Sequence, residues 1–314
     1  DMPALSATAP AKIILLGEHA VVYGRPAIAI PVRQRMVKVI IKPQPGAPSG
    51  QVRIKSPSIQ LDALLEELPD GDPILAVIQE TLMHVQADSL PACSIRITSD
   101  IPVAAGLGSG AAVSVATSKA VAGFLGRPLG DQEISDIAYR VETIHHGTPS
   151  GIDNTVIAFN QAIYFQKDKP VQFLDLRYRF QFIIADTGIP SPTRETVSRV
   201  RENWQTDVPG YNSLFNDVAD IVNRARQSME RGDAKTLGRL LNENQALLAE
   251  MGVSSSELDQ LIRTARAAGA LGAKLSGGGG GGNMIALVDQ DSKTAVAADL
   301  KAAGAVRIFH ASIS

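Results

Sequence analysis

The chain has 314 residues, 45% of them hydrophobic and 20% charged, with a formal net charge of −2. Two domains are the better expectation at that length, and the balance suits a soluble globular chain. It argues against a nucleic-acid surface, since no Lys/Arg run stands out. The single cysteine, Cys93, rules out a disulfide framework within the chain and reads as a buried, inert thiol. No apolar run approaches the ~18–20 residues that span a membrane, and the N-terminus lacks the regions of a signal peptide. The expectation is a cytoplasmic protein with no membrane or nucleic-acid partner.

The first patterned stretch is Ala9–Gly24, where Ile13–Leu16 reads as a buried strand bracketed by Lys12 before it and Glu18-His19 after it. Two readings are open: a solvated strand end with a plain turn, or polar side chains presented in a cleft. Val37–Ile41 and Val52–Ile54 read as further strands, separated by a Pro/Gly-rich loop over 43–50. Asp72-Pro73 starts a helix whose apolar positions are Ile74, Val77, Ile78 and Leu82.

After a strand over Cys93–Thr98 comes Pro102-Val-Ala-Ala-Gly-Leu-Gly-Ser-Gly-Ala-Ala112, with Gly106, Gly108 and Gly110 at spacing two. A helix opening near Gly110 points its free N–H groups into that loop, which makes an anion site. It is not a P-loop, because no Lys-Ser/Thr follows, and Ala111 stands where G-x-G-x-x-G needs its last glycine. A turn serving only close packing fits the loop equally well. Asp131 is expected to cap a helix with Ile134, Ile137, Ala138 and Val141 on its apolar face, ending at Gly147 before Pro149. Glu142 flanks that face, an odd place for a charge unless something pairs with it. His145–Asn154 reads as a loop of turn formers, in which Asp153 is ordinarily a cap or turn residue.

From Phe180 the character shifts. Phe182–Ala185 is a short strand, 186–196 a polar loop, and two amphipathic helices follow through Leu214–Met229 and Leu237–Leu248. Ser254–Glu257 reads as a capping box for a third helix. The six glycines Gly277–Gly282 separate Ala273–Ser276 from a strand, Met284–Val288. A flexible linker is the ordinary reading of such a run, although a strand directly after it argues otherwise. A helix over Thr294–Ala303 and a strand over Val306–Ile313 close the chain.

Three glycine-bearing loops and two carboxylates, with no H-E-x-x-H, no Ser-His-Asp order and no metal-type Cys/His spacing, fit phosphoryl transfer best. Lys12–Gly24, Pro102–Ala112, Glu142–Asp153 and Lys274–Asn283 together resemble the successive motifs of the GHMP kinase superfamily. "Lys-Ile-Ile-Leu-Leu-Gly-Glu-His-Ala-Val-Val-Tyr-Gly", "His-Gly-Thr-Pro-Ser-Gly-Ile-Asp-Asn" and Asp186-Thr-Gly-Ile-Pro resemble its mevalonate-phosphorylating branch. The resemblance covers essentially the whole chain, and the order of four motifs is specific where no single one is.

It implies an α+β, two-domain GHMP kinase fold. A ribosomal S5 domain 2-like N-terminal domain would span 1–178 and a ferredoxin-like C-terminal domain 179–314, with ATP in the cleft between them. It implies ATP along Pro102, Ala104, Ala105, Gly106, Leu107, Gly108, Ser109, Gly110 and Ala111. Mg2+ would be held by Glu142 and Ser109. Asp153 would take or position the proton of the acceptor hydroxyl, with Lys12 keeping it ionised and meeting charge on the transferring phosphate. Glu18 and His19 would line the mevalonate pocket together with Lys12 and Asp153. Thr187 and Gly278 would lie near substrate or phosphate, and a homodimer follows by analogy alone.

Two departures stand out. The family usually has two serines where this chain has Ser109-Gly110, so a hydroxyl that commonly meets magnesium is missing. The glycine run is also uninterrupted, where an alanine or another residue usually breaks it. The readings left open are a kinase of another small alcohol (phosphomevalonate, homoserine or a sugar), a decarboxylase of the same superfamily, or a nucleotide-binding member with weakened catalysis.

Overall fold

The computed structural model describes residues 4–103, 105–146 and 149–314. Ala104, Gly147 and Thr148, each in a stretch singled out above, lie outside the described residues. The chain clusters into two compact units, neither of them contiguous. The first holds the residues up to Ala11 with Arg35–Val103 and Gly108–Asn160; the second holds Lys12–Gln34, 105–107 and Gln161–Ser314.

Two long strands pass through both units, β1 (Leu5–Leu16) and its neighbour β2 (Ala27–Pro43). Both outrun the apolar runs that marked them in the sequence. Exposed Arg33 and Gln34 interrupt the hydrophobic pattern of β2 without ending the strand. In the first unit, β3 (Val52–Ser56), β4 (Leu61–Leu64) and β5 (Cys93–Ser99) join the far part of β2 in the order β4-β3-β5-β2. Only β3 and β5 pair in parallel. Period-two alternation sends Val37, Val39, Ile41, Ile54, Ile95 and Ile97 into the core.

Helices α1 (Pro73–His84), α2 (Ser109–Phe124), α3 (Asp131–His146) and α4 (Ile152–Phe159) pack on one another. Asp72 caps α1 as expected, accepting from the Ile74 and Leu75 amides at 2.8 and 3.2 Å. Asp131 does not cap α3. It lies within the first turn and pairs with Lys119 at 3.2 Å, while Glu133 receives the Gly130 N–H at 2.8 Å.

The second unit opens its own elements with β6 (Ile163–Phe165), which pairs with Ala27–Ala29 of β2, and β7 (Gln172–Phe173) beside it. Then come β8 (Phe180–Asp186), α5 (Thr193–Thr206), α6 (Val208–Arg231), α7 (Ala234–Glu250) and α8 (Ser256–Ala267). β9 (Gly272–Ser276), β10 (Asn283–Val288), α9 (Lys293–Ala302) and β11 (Arg307–Ile313) complete the chain. The sheet order β11-β8-β10-β9, antiparallel throughout, is the 4-1-3-2 order of a ferredoxin-like β-α-β-β-α-β unit. Helix α5 takes the end of the stretch expected as polar loop. It buries only Thr196 and Val200, too few apolar positions to show a period, and Pro192 sits at its N-cap, where no helical N–H is lost. The cap of α8 is Ser255, which accepts from the Leu258 N–H at 3.3 Å; Ser254 instead donates to Asp259 at 2.6 Å. Among the described residues, no helix is long and apolar enough to cross a membrane.

Candidate active site

Lys12, Glu18 and His19 all come from β1 and the turn that follows it, and all three are buried, at 5%, 2% and 5% exposure. The solvated-strand-end and plain-turn readings therefore fail. Buried polar groups need partners, and for Glu18 the partner is Lys274 on β9, whose side chain has no exposed surface. Lys274 Nζ donates to Glu18 Oε1 and to the Leu275 carbonyl. Burial pushes the Glu18 carboxyl up and the Lys274 ammonium down, while each group pulls the other back toward its charged form. Glu18 Oε2 keeps no protein partner.

His19 has φ 62°, a conformation a non-glycine residue adopts only when its surroundings hold it. Its Nε2–H donates to the Gly278 carbonyl at 2.9 Å, so the other ring nitrogen, Nδ1, carries the lone pair, and it is buried without a partner. Burial depresses the imidazole pKa and keeps the ring neutral. Two acceptors, a carboxylate oxygen and an imidazole nitrogen, are thus desolvated without donors. Such atoms suit a ligand that brings hydroxyl groups.

The glycine run is no linker. Gly280 N–H donates to the Val253 carbonyl at 2.8 Å, and Gly282 N–H to the Ile189 carbonyl at 2.7 Å. Thr187 returns two bonds to the Gly282 carbonyl, from its N–H at 3.0 Å and its hydroxyl at 2.9 Å. Ser191 Oγ donates to the Gly279 carbonyl at 2.9 Å. Gly279 has φ +80°, and a Cβ there would stand 2.0 Å from the Val253 carbonyl oxygen. Crowding accounts for Gly278, Gly279 and Gly281, where a Cβ would stand 2.7, 2.0 and 2.7 Å from Thr193, Val253 and Ile189, whereas Gly277, Gly280 and Gly282 take positive φ. Thr187 is placed as an anchor of this run, and Asp186 beneath it is fixed by Arg307 at 2.6 Å.

The phosphate-loop candidate divides between the units. Residues 105–107 are held in the second, where the Lys12 N–H donates to the Leu107 carbonyl at 3.0 Å and Asn283 Nδ2 donates to the Ala105 carbonyl. In the first, Gly108 caps α2 in the left-handed conformation, and the first helical bond runs from the Ala112 N–H to its carbonyl at 2.9 Å. The amides of 109–111 therefore lie ahead of the ladder, and the first turn carries no acidic residue. The helix begins one residue before Gly110, near where the sequence placed it. Open space surrounds the Cβ positions of Gly106 and Gly110. The amides ahead of α2 fit an anionic phosphate group.

Asp153 is not in a loop. It occupies the first turn of α4, where the helix dipole favours a carboxylate. Asn154 behind it donates to Ser135 Oγ of α3 at 2.8 Å, which fixes the start of the helix. Glu142 is half-buried near the end of α3. Among the described residues, no group of three or more His, Cys, Asp or Glu side chains is placed to hold a metal. Sequence reasoning missed Lys274 and Asn283. A lysine inside an otherwise apolar strand was the signal, since a buried ammonium demands a carboxylate.

Comparison with known proteins decides the family. The family model for the GHMP kinases N terminal domain matches residues 74–161, and that for the GHMP kinases C terminal matches 225–306. The mevalonate kinase of Thermococcus sibiricus is 36% identical over 324 residues, covering 96% of this chain and 94% of the relative. The chain belongs to the GHMP kinases. Solved structures agree: L. major mevalonate kinase in complex with R-mevalonate superposes with TM-score 0.85 at 30% identity, covering 99% of this chain and 96% of that one. The Methanococcus jannaschii mevalonate kinase gives 0.86 at 25% identity, covering 100% and 99%. For this GHMP kinase, the two-domain α+β expectation holds, and so does the ferredoxin-like sheet of its second half.

Proposed function

We propose that this GHMP kinase transfers the γ-phosphoryl group of ATP to the primary hydroxyl of mevalonate, giving 5-phosphomevalonate. The observation that carries the reading is the pair of donor-less buried acceptors, Glu18 Oε2 and His19 Nδ1. They lie in a chain whose relatives over nearly its full length are mevalonate kinases. The division into an N-terminal part to about residue 178 and a C-terminal part from 179 belongs to this reading, supported by family matches that end at 161 and resume at 225.

In this reading ATP phosphates lie on the amides ahead of α2, along Pro102 and the 105–111 backbone; Ala104 completes the stretch. When bound, Mg2+ would neutralise charge on the phosphates. Glu142 and Ser109 are the residues to hold it, a short ligand set that suits an ion accustomed to water and phosphate oxygens. Asp153 takes or positions the proton of the attacking hydroxyl. Lys12 meets charge developing on the transferring group. Glu18 and His19 accept from substrate hydroxyls, while Gly278 and Thr187 shape the wall beside them. A cytoplasmic location and a homodimer complete the reading.

A coupled ADP-release assay tests it, with magnesium-ATP and mevalonate, phosphomevalonate, homoserine or galactose. Turnover with mevalonate is expected. Turnover with another acceptor alone overturns the substrate, and ATP binding without any turnover points to a kinase weakened at Ser109-Gly110. Asp153→Asn is expected to keep ATP binding and cut turnover by roughly 10²-fold or more; unchanged turnover removes Asp153 from its role.

A further inference from the structure

On the sheet of the first unit, the alternation that buries Val39, Ile41, Ile54 and Ile95 turns their neighbours outward. The outward set includes five cations: Lys38 and Lys42 on β2, Arg53 and Lys55 on β3, and Arg96 on β5. In a chain of net charge −2 this is a local reversal of sign. Asp62 on β4 pairs with Arg53 at 2.7 Å and reaches Lys55 at 3.7 Å, and Glu67 adds to the field at Arg53. Among the described residues, Lys42 and Arg96 have no carboxylate partner. The register sets Lys55 directly beside Arg96, and Arg96 beside Ile40, with Lys42 two residues along on the same face. Like charges placed opposite each other weaken a sheet.

A cavity of about 420 Å³ sits on this face. Lys42, Arg53, Lys55 and Arg96 line it together with Gln44 and Gln51, and no carboxylate does. It shares no residue with the Pro102–Ala111 stretch. We infer that this cavity is a second binding site, for a small, multiply charged oxyanion of the diphosphate class. The Arg96 guanidinium fork supplies bidentate donors, Arg53 adds the N–H groups its pair with Asp62 leaves over, the lysines add point charges and the amides complete the hydrogen bonds. The volume lies in the range of small-molecule sites. Single-stranded nucleic acid fits less well, because none of the outward residues Lys38, Ile40, Lys42, Arg53, Lys55, Ser94, Arg96 and Thr98 is aromatic and bases lack a stacking platform. A second copy of the chain would set these cations against themselves across a two-fold axis.

The test is equilibrium dialysis of the full chain with radiolabelled inorganic diphosphate, with the nucleotide site saturated by a non-hydrolysable ATP analogue. A class of diphosphate sites that survives the analogue is expected. Lys42→Gln/Arg96→Gln should weaken it by roughly tenfold or more, leave kinase turnover unchanged and not lower the melting temperature, since it relieves the Lys55–Arg96 repulsion. Lys38→Gln, on the same face but outside the cavity, should leave binding intact and separates the cavity from a diffuse charge effect. Loss of all diphosphate binding on adding the analogue overturns the inference, as does binding indifferent to the double substitution. Retention of an oligonucleotide or of phosphatidylglycerol vesicles with no diphosphate bound overturns it equally.

Discussion

Replacing Lys274 by Met tests whether the buried pair shapes this half of the protein. The ammonium has no exposed surface, and it serves both Glu18 and the Leu275 carbonyl. Its removal strands a carboxylate whose second oxygen already lacks a partner. Breaking such a pair costs about 3–5 kcal/mol, or roughly 6–20 °C of melting temperature for a cooperative unit of ordinary size. Glu18 relieves part of that cost by keeping a proton. With its folded pKa raised further above the ordinary 4.5, the stabilisation from protonated Glu18 is present at low pH and is lost as pH rises. The deficit of Lys274→Met against wild type should therefore be larger at pH 8 than at pH 5. Adding Glu18→Leu should recover most of the loss, because the uncompensated charge goes with it. Chemical denaturation of the three proteins at both pH values reads this directly. A deficit under about 1 kcal/mol, or additive losses in the double variant, refutes the reasoning.

Gly279→Ala places a methyl 2.0 Å from the Val253 carbonyl oxygen at a positive φ, so a loss of several kcal/mol or of soluble expression is expected, read by thermal melting. Gly110→Ser enters open space in the first turn of α2; it should fold normally and lower the magnesium concentration needed for half-maximal turnover, measured by titration. The His19 ring is neutral because its pKa is pushed below the ordinary 6.5. The unfolded chain then binds the extra proton, so this contribution is complete above about pH 6.5 and is lost as pH falls. Comparing stability against pH from 7 to 5, His19→Gln should show a shallower fall than wild type, by up to about 1.4 kcal/mol per pH unit; identical slopes would remove burial of His19 as the cause.

The elements most legible in the sequence were those whose local chemistry matched their final place. Asp72-Pro73 started α1, α2 opened at Ser109, one residue before the expected Gly110, and the apolar faces of α6 and α7 followed their spacing, with Phe215 in place of Leu214 buried on α6. Helices α4 and α5 were hidden because turn formers and prolines lead into them, and α5 buries too little to show a period. The candidate site was legible in its residue types but not in its pairings. Nothing local to Glu18 announces Lys274, and the rigidity of the glycine run comes from neighbours at Ile189 and Val253. Cys93 did follow its surroundings: it is buried, and its thiol is pushed up to about 11.

The Glu18–Lys274 pair spans 256 residues of chain. A ribosome adding about 5–20 residues per second needs roughly 10–50 s to deliver the second partner after the first. Throughout that interval the turn bearing Glu18 and His19 exists without the Lys274 and Gly278 groups that partner them. The second unit can close only when the last third of the chain has emerged, whereas the strands and helices of the first unit are complete by Asn160. Birth order thus leaves the Lys12–Leu16 end of β1 and its turn without part of their native surroundings during synthesis, while non-native pairings compete for them.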